Sequence, residues 1–137
     1  MALFDHSERL REKRVRGDSG RVVHVNDGVP EAVYIGRAAP RRRLPSSIWG
    51  NPFREAVHGR LLAVQLYRDY LRSSLEGKPL LAHLPDLRGK PLACWCRRDG
   101  EQKTAANACH GDVLIELLET YTDDELRAMA SDEGMQP

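Results

Sequence analysis

The stretch PLACWCRRDGEQKTAANACHGD, residues 91–112, holds every cysteine of this 137-residue chain, at Cys94, Cys96 and Cys109, and His110 follows the last one directly. Three soft sulfurs and a borderline imidazole make a tetrahedral set suited to zinc. The spacing C-x-C-x12-C-H is not one of the common zinc-finger spacings, so two other chemistries stay open. Cys94 or Cys96 can be ordinary core, since free cysteine is among the most buried residue types. Alternatively Cys109, just ahead of a helix start, is a thiolate nucleophile or redox group with His110 as proton carrier, and Asp112 and Arg37 position its partner. That version expects Cys109 to be the most reactive thiol. A disulfide accounts for the pattern least well: the count is odd and no signal peptide pattern is visible. Reduced thiols in a cytoplasm are expected.

The elements that must carry these groups follow from periodicity. Leu92–Cys96 reads as a short strand in which Cys94 and Cys96 share a face and Trp95 takes the other. Behind Cys109-His110 comes a helical run with Val113, Leu114, Leu117, Leu118 and Tyr121 on one side. Arg21–Val25 is a β-branched strand closed by Asn26-Asp27-Gly28, and Ala32–Arg37 is a nearly continuous apolar strand. Residues 38–59 form a long irregular segment with Arg41-Arg42-Arg43 and then Trp49-Gly50-Asn51-Pro52-Phe53. Loops of that length in small domains are functional or disordered, and the aromatics argue against disorder. Trp49 and Phe53 also fit a hydrophobic plug that doubles as a pocket wall. Arg60–Leu75 is a helix with Leu61, Val64, Tyr67 or Arg68, Leu71 and Leu75 at three- and four-residue steps. Leu80–Leu87 is a short helical turn, and Thr122-Asp123-Asp124-Glu125 is a capping box that opens a last helix. Asp112 fits the N-cap of its own helix.

This order implies a single small α/β domain over residues 21–130. Its sheet is short, about three-stranded and mostly parallel, in a three-layer, Rossmann-like arrangement. Residues 1–20 read as a charged arm and 131–137 as a fraying tail. Parallel strands emerge at one edge, where ligands of open α/β sheets bind. Arg37, Trp49, Asn51, Cys94, Cys96, Cys109, His110 and Asp112 are expected to share that crevice. A cation, an aromatic plate, an amide and a helix N-terminus suit an anionic, ring-bearing, nucleotide-like ligand.

Composition is that of a soluble globular protein, with 41% hydrophobic and 30% charged residues, and no apolar run is long enough to span a bilayer. Charge is uneven. Residues 1–60 carry 12 Lys/Arg against 7 Asp/Glu, residues 61–98 carry 7 against 3, and residues 99–137 carry 2 against 10. A basic body hints at an anionic partner. The runner-up reading is a non-catalytic nucleic-acid-binding module in which zinc only staples the fold.

VYIGR, S-x-WGNPF, an arginine-led helix ending Y-x-x-YL, LxGKPLACWC and CHGDVLxEL together resemble a DUF4326-like family of small bacterial and phage domains. The likeness runs from about Val33 to Leu118. It implies a compact cytosolic α/β domain with a Cys/His cluster as its signature. The chain departs from that pattern at Arg97–Ala108, which lengthen the step from CWC to CHGD.

Overall fold

A computed structural model describes residues 20–131 of the chain. The expected arm and tail therefore lie outside the described residues, apart from Gly20 and Ser131. Three strands, β1 (Arg21–His24), β2 (Val33–Tyr34) and β3 (Pro91–Cys94), form one sheet in the order β1-β3-β2. All pairings are parallel, with Val22 and Val33 beside Leu92, and His24 beside Cys94. The fold is a small α/β domain, as the alternation of strands and helices implies.

β2 is shorter than the apolar run Ala32–Arg37. It pairs over Val33–Tyr34, and Ile35 N–H adds one bond to Ala93 O at 3.0 Å before Gly36 turns away. The β1–β2 connection needs only residues 25–32 because the strands are short and the chain hardly has to return. It stays at the carboxyl edge of the sheet, where the Asp27 carboxylate accepts from the backbone N–H groups of His24 (2.8 Å) and Asp99 (2.7 Å) and pairs with Arg98.

Between β2 and β3 lie α1 (Glu55–His58), α2 (Arg60–Ser73) and a ten-residue 3-10 stretch, Lys78–Leu87. Residues Pro79 and Pro85 keep that stretch from closing α-type bonds. After β3 come α3 (His110–Thr120) and α4 (Asp123–Ala130). The latter opens with the expected capping box: Thr122 N–H donates to Glu125 Oε1 at 2.8 Å and Glu125 N–H to Thr122 Oγ1 at 3.2 Å.

One cluster forms the main core. It joins Val22, Ile35, Leu92 and Cys94 of the sheet to Tyr67, Leu71, Leu84, Val113, Leu114 and Leu126 of the helical elements. Val23 and Ala93 point to the opposite face and are buried as well, so both faces of the sheet are covered at its centre. The buried stripe of α2 is Ala63, Tyr67 and Leu71. Leu61 (59% exposed) and Leu75 (89%) stand outside it, and the helix stops at Ser73, two residues short of the expected end. Steps of three and four from Leu61 fit two overlapping stripes, and docking against Leu84 and Leu114 selects one. Trp49 takes the plug role: it is 4% exposed, and its carbonyl accepts from Tyr67 Oη at 2.7 Å.

Candidate metal centre and adjoining cavity

Strand geometry alone does not account for the cysteines. In a strand, residues two apart sit about 6.6 Å from each other. β3 ends at Cys94, the chain bends through Trp95-Cys96, and the two sulfurs lie 3.8 Å apart. Cys96 is therefore a turn residue, not the strand residue its sequence suggests. Cys109 arrives from the start of α3, and the three sulfurs lie within 4.8 Å of one another. All three cysteines are free. A group of this kind could hold a metal ion. For a metal–sulfur distance of about 2.3 Å, a tetrahedron has an edge of about 3.8 Å, so little movement would be needed.

His110 stands beside this group rather than in it. Its Nε2 lies 2.7 Å from the Ile35 carbonyl, which can only accept, so Nε2 carries the proton. Nδ1 then faces Cys109 Sγ at 3.9 Å as an acceptor. Burial lowers the His110 pKa, against the pull of the Ile35 carbonyl, and favours this neutral form.

Asp112 has a different place from the expected N-cap. Cys109 is the N-cap, its sulfur accepting from Gly111 N–H at 3.3 Å, and Asp112 Oδ2 reaches back to Cys109 N–H at 3.0 Å. A sulfur has replaced the usual hydroxyl of a capping box. The Asp112 carboxylate also grips Arg97 through both guanidinium nitrogens, and the two side chains are only 13% and 9% exposed. The loop Arg97–Ala108 is thus fastened at its start. At its end Arg60 donates to Ala108 O at 2.9 Å.

A cavity of about 400 Å³ opens beside the sulfurs. Arg37, Asn51, Cys94, Cys96 and His110 line it, as the common strand edge implies; Trp49, Cys109 and Asp112 do not. Phe53 lines it as the plug reading implies, and sequence reasoning passed over Arg60, Tyr34 and Trp95 as members of this wall. The first of these follows Gly59 at the head of a helix, a position that a pairing with the CWC turn makes meaningful only in three dimensions. Asn51 is also a staple: Oδ1 accepts from Phe53 N–H (2.9 Å), Nδ2 donates to Ala63 O (3.1 Å), and its carbonyl takes Arg37 Nη2 at 2.8 Å.

The sulfurs differ in their electrostatics. Cys96 is drawn far below the ordinary thiol range by hydrogen bonds from Cys109 and Cys94 and by the Arg60 guanidinium. At Cys94 the contact with Cys109 acts downward, but the bond to Cys96, burial and the Cys96 charge outweigh it and push the thiol up to about 12. Hydrogen bonds to Cys94 and Cys96, with burial, raise Cys109 further. Packed against two sulfurs and fully buried, Cys109 is pushed toward its protonated form, and half-buried Cys96 toward the thiolate.

A family-wide profile described as a domain of unknown function, DUF4326, matches residues 22–120. The chain belongs to this family. An uncharacterized protein of Acanthamoeba polyphaga mimivirus is 35% identical over 98 residues, 67% of this chain and 72% of the relative. An uncharacterized 12.4 kDa protein from the nrdA-td intergenic region of Enterobacteria phage T4 is 28% identical over 82 residues, 59% of this chain and 68% of that protein. No solved structure matches significantly. The DUF4326 match spans all of the sheet but Arg21, together with α3 and all three cysteines. Among the described residues no helix is long and apolar enough to cross a membrane.

Proposed function

We propose that Cys94, Cys96 and Cys109 hold a zinc ion, and that the adjoining cavity receives a nucleotide-like anion. One observation carries the reading: three sulfurs lie within 4.8 Å of one another, and two of them, those of Cys94 and Cys96, line a cavity whose cations are Arg37 and Arg60. Three thiolates favour zinc over hard cations. His110 lies outside the group of sulfurs within 4.8 Å of one another, so the fourth coordination position is assigned to water or ligand, and such a zinc would act as a Lewis acid. Arg60 partly offsets the thiolate charge and lines the cavity at once. Trp95, Phe53 and Tyr34 offer ring faces and edges to a base. Free sulfurs at van der Waals distance suit a reducing compartment, which supports a cytoplasmic location.

The test is elemental analysis with thiol titration, then binding of a mononucleotide panel. About one zinc per chain and thiols that titrate only after chelation are expected, with nucleotide binding weakened by Arg37→Ala and Arg60→Met. Metal-free protein that melts unchanged with chelator, and shows three freely titrating thiols, would sink the zinc assignment. The second reading, zinc as a staple beneath a nucleic-acid surface, draws on the exposed Arg41, Arg42 and Arg43. It is preferred if oligonucleotides bind and Arg37→Ala and Arg60→Met leave their binding unchanged.

A further inference from the structure

We propose that the cavity takes a nucleotide unit of a single-stranded nucleic acid, the neighbouring unit lying across Trp95 and the phosphates running onto Arg41–Arg43. This rests on the reading that the cavity receives a nucleotide-like anion.

Charge comes first. From Ala32 to Arg54 the chain has five arginines and no acidic residue. Ala38 and Ala39 line the cavity and lead straight into Pro40–Arg42, a 3-10 turn. The turn is clasped at its base by Ala39 N–H to Leu44 O (2.8 Å) and Leu44 N–H to Ala39 O (3.1 Å). Three exposed guanidiniums therefore stand on a fixed footing at the cavity mouth. A flexible tail of the same charge would lose more freedom on binding.

Trp95 supplies the second observation. It is 42% exposed although it lies directly between two cysteines of a largely buried strand end. Its ring is nonetheless fixed. Nε1 donates to Tyr34 Oη at 2.9 Å, Tyr34 Oη donates to Arg37 O at 2.5 Å, and the His24 ring meets the indole edge-on at 5.8 Å. The indole is thus oriented without being buried. It is a wall of the cavity on one side, and Arg42 lies over it at 5.6 Å from the ring centre, so a base stacking on the indole takes the place of that exposed guanidinium. Cavity, stacking ring and cationic turn are contiguous in that order.

That sequence of features matches an unpaired strand. A base can reach an enclosed pocket only if it is free or unstacked, and the next base then has an open face for the indole. A duplex hides both faces, and an acidic peptide lacks the flat ring.

Thymidine monophosphate, a short labelled oligothymidylate and its duplex are the probes, with full-length protein as purified. Binding is read by calorimetry and anisotropy at several salt concentrations. The single strand is expected to bind at least about tenfold more tightly than the monophosphate or the duplex, and Trp95→Ala to remove about tenfold of its affinity. Each phosphate contact adds about −0.7 to the log–log salt slope. Arg41→Gln/Arg42→Gln/Arg43→Gln should therefore flatten the slope by about 2 and leave monophosphate binding unchanged. If the triple variant melts early, the pair Arg41→Gln/Arg43→Gln keeps the Arg42–Asn26 contact and should flatten it by about 1.4. Monophosphate binding with no advantage for the strand overturns this inference and leaves the nucleotide reading standing. Equal binding of duplex and single strand overturns it too. No binding of any probe removes both.

Discussion

Asp112→Asn is expected to loosen the start of α3 and with it the candidate metal centre. The carboxylate receives three hydrogen bonds: two from Arg97 and one from Cys109 N–H. An amide keeps one oxygen, enough for the cap, but turns an NH₂ toward the guanidinium. Arg97 is then left charged and 9% exposed, with the remaining amide oxygen and Asn107 O at 3.2 Å as acceptors and an NH₂ set against its second amino group. Removing one partner of a buried ion pair costs about 3–5 kcal/mol, and partial solvent access puts this pair near about 3 kcal/mol. Unfolding entropy of about 2.1 cal/mol/K per residue, over 137 residues, converts that into a fall in Tm of roughly 10 °C. The assay is a urea or thermal melt, beside Arg97→Met/Asp112→Asn, which removes the stranded charge and keeps the cap. The double variant should regain at least half of the loss, because the cost lies in the uncompensated cation. Zinc affinity of the single variant should fall about 10- to 100-fold, as for other residues that orient a ligand. A single variant within about 0.5 kcal/mol of wild type, or a double variant weaker than the single, would refute the reasoning.

Three further outcomes follow. Limited alkylation of chelator-treated protein at neutral pH, with peptide mapping, should label Cys96 first and Cys109 last, because Cys96 is half-buried and carries the thiolate; labelling led by Cys109 would contradict this. Gly111→Ala should destabilise by about 1–3 kcal/mol, although helix propensity alone favours alanine, since the new Cβ would meet Ile35 Cδ1 at 2.8 Å and Val22 Cγ2 at 2.9 Å; a variant that melts higher would show that the sheet yields. The Asp27 carboxyl is held down at about 2, first by the His24 N–H and, against some burial, by Asp99 N–H and Arg98. Its contribution is complete above the ordinary carboxyl range near 3.8 and is lost as pH falls toward 2, so Asp27→Asn should flatten acid unfolding in that window, and an unchanged acid limb would exclude the role.

Much of this domain was legible from local chemistry. Residues such as Thr122 and Glu125 satisfy each other's backbone within one turn, so their capping box needs no partner from elsewhere. The helical crossover from β2 to β3 dictated a parallel pairing, because a chain that leaves one strand end and returns through two helices re-enters in the same direction. That in turn placed Arg37, Asn51, Cys94, Cys96 and His110 at one edge. Three cysteines within a short span already pointed to a shared centre.

What tertiary structure alone decided depends on contacts between distant segments. Alternation put Cys94 and Cys96 on one face, but the 3.8 Å between sulfurs needs β3 to end at Cys94. The exchange of roles between the tryptophans is of the same kind. Ser47 N–H bonds to Gly36 O, which folds the segment back and drives Trp49 onto Tyr67, while the bend after Cys94 leaves Trp95 at the cavity. Nothing local distinguishes one indole from the other. Arg97 and Arg60 look like surface charges until Asp112, Ala108 and Cys96 surround them. Periodicity and capping act over one or two turns of chain, so a sequence displays them directly. The depth of a side chain, its charge partner and the state of a sulfur depend on which remote atoms share its space, and only the packed fold sets those.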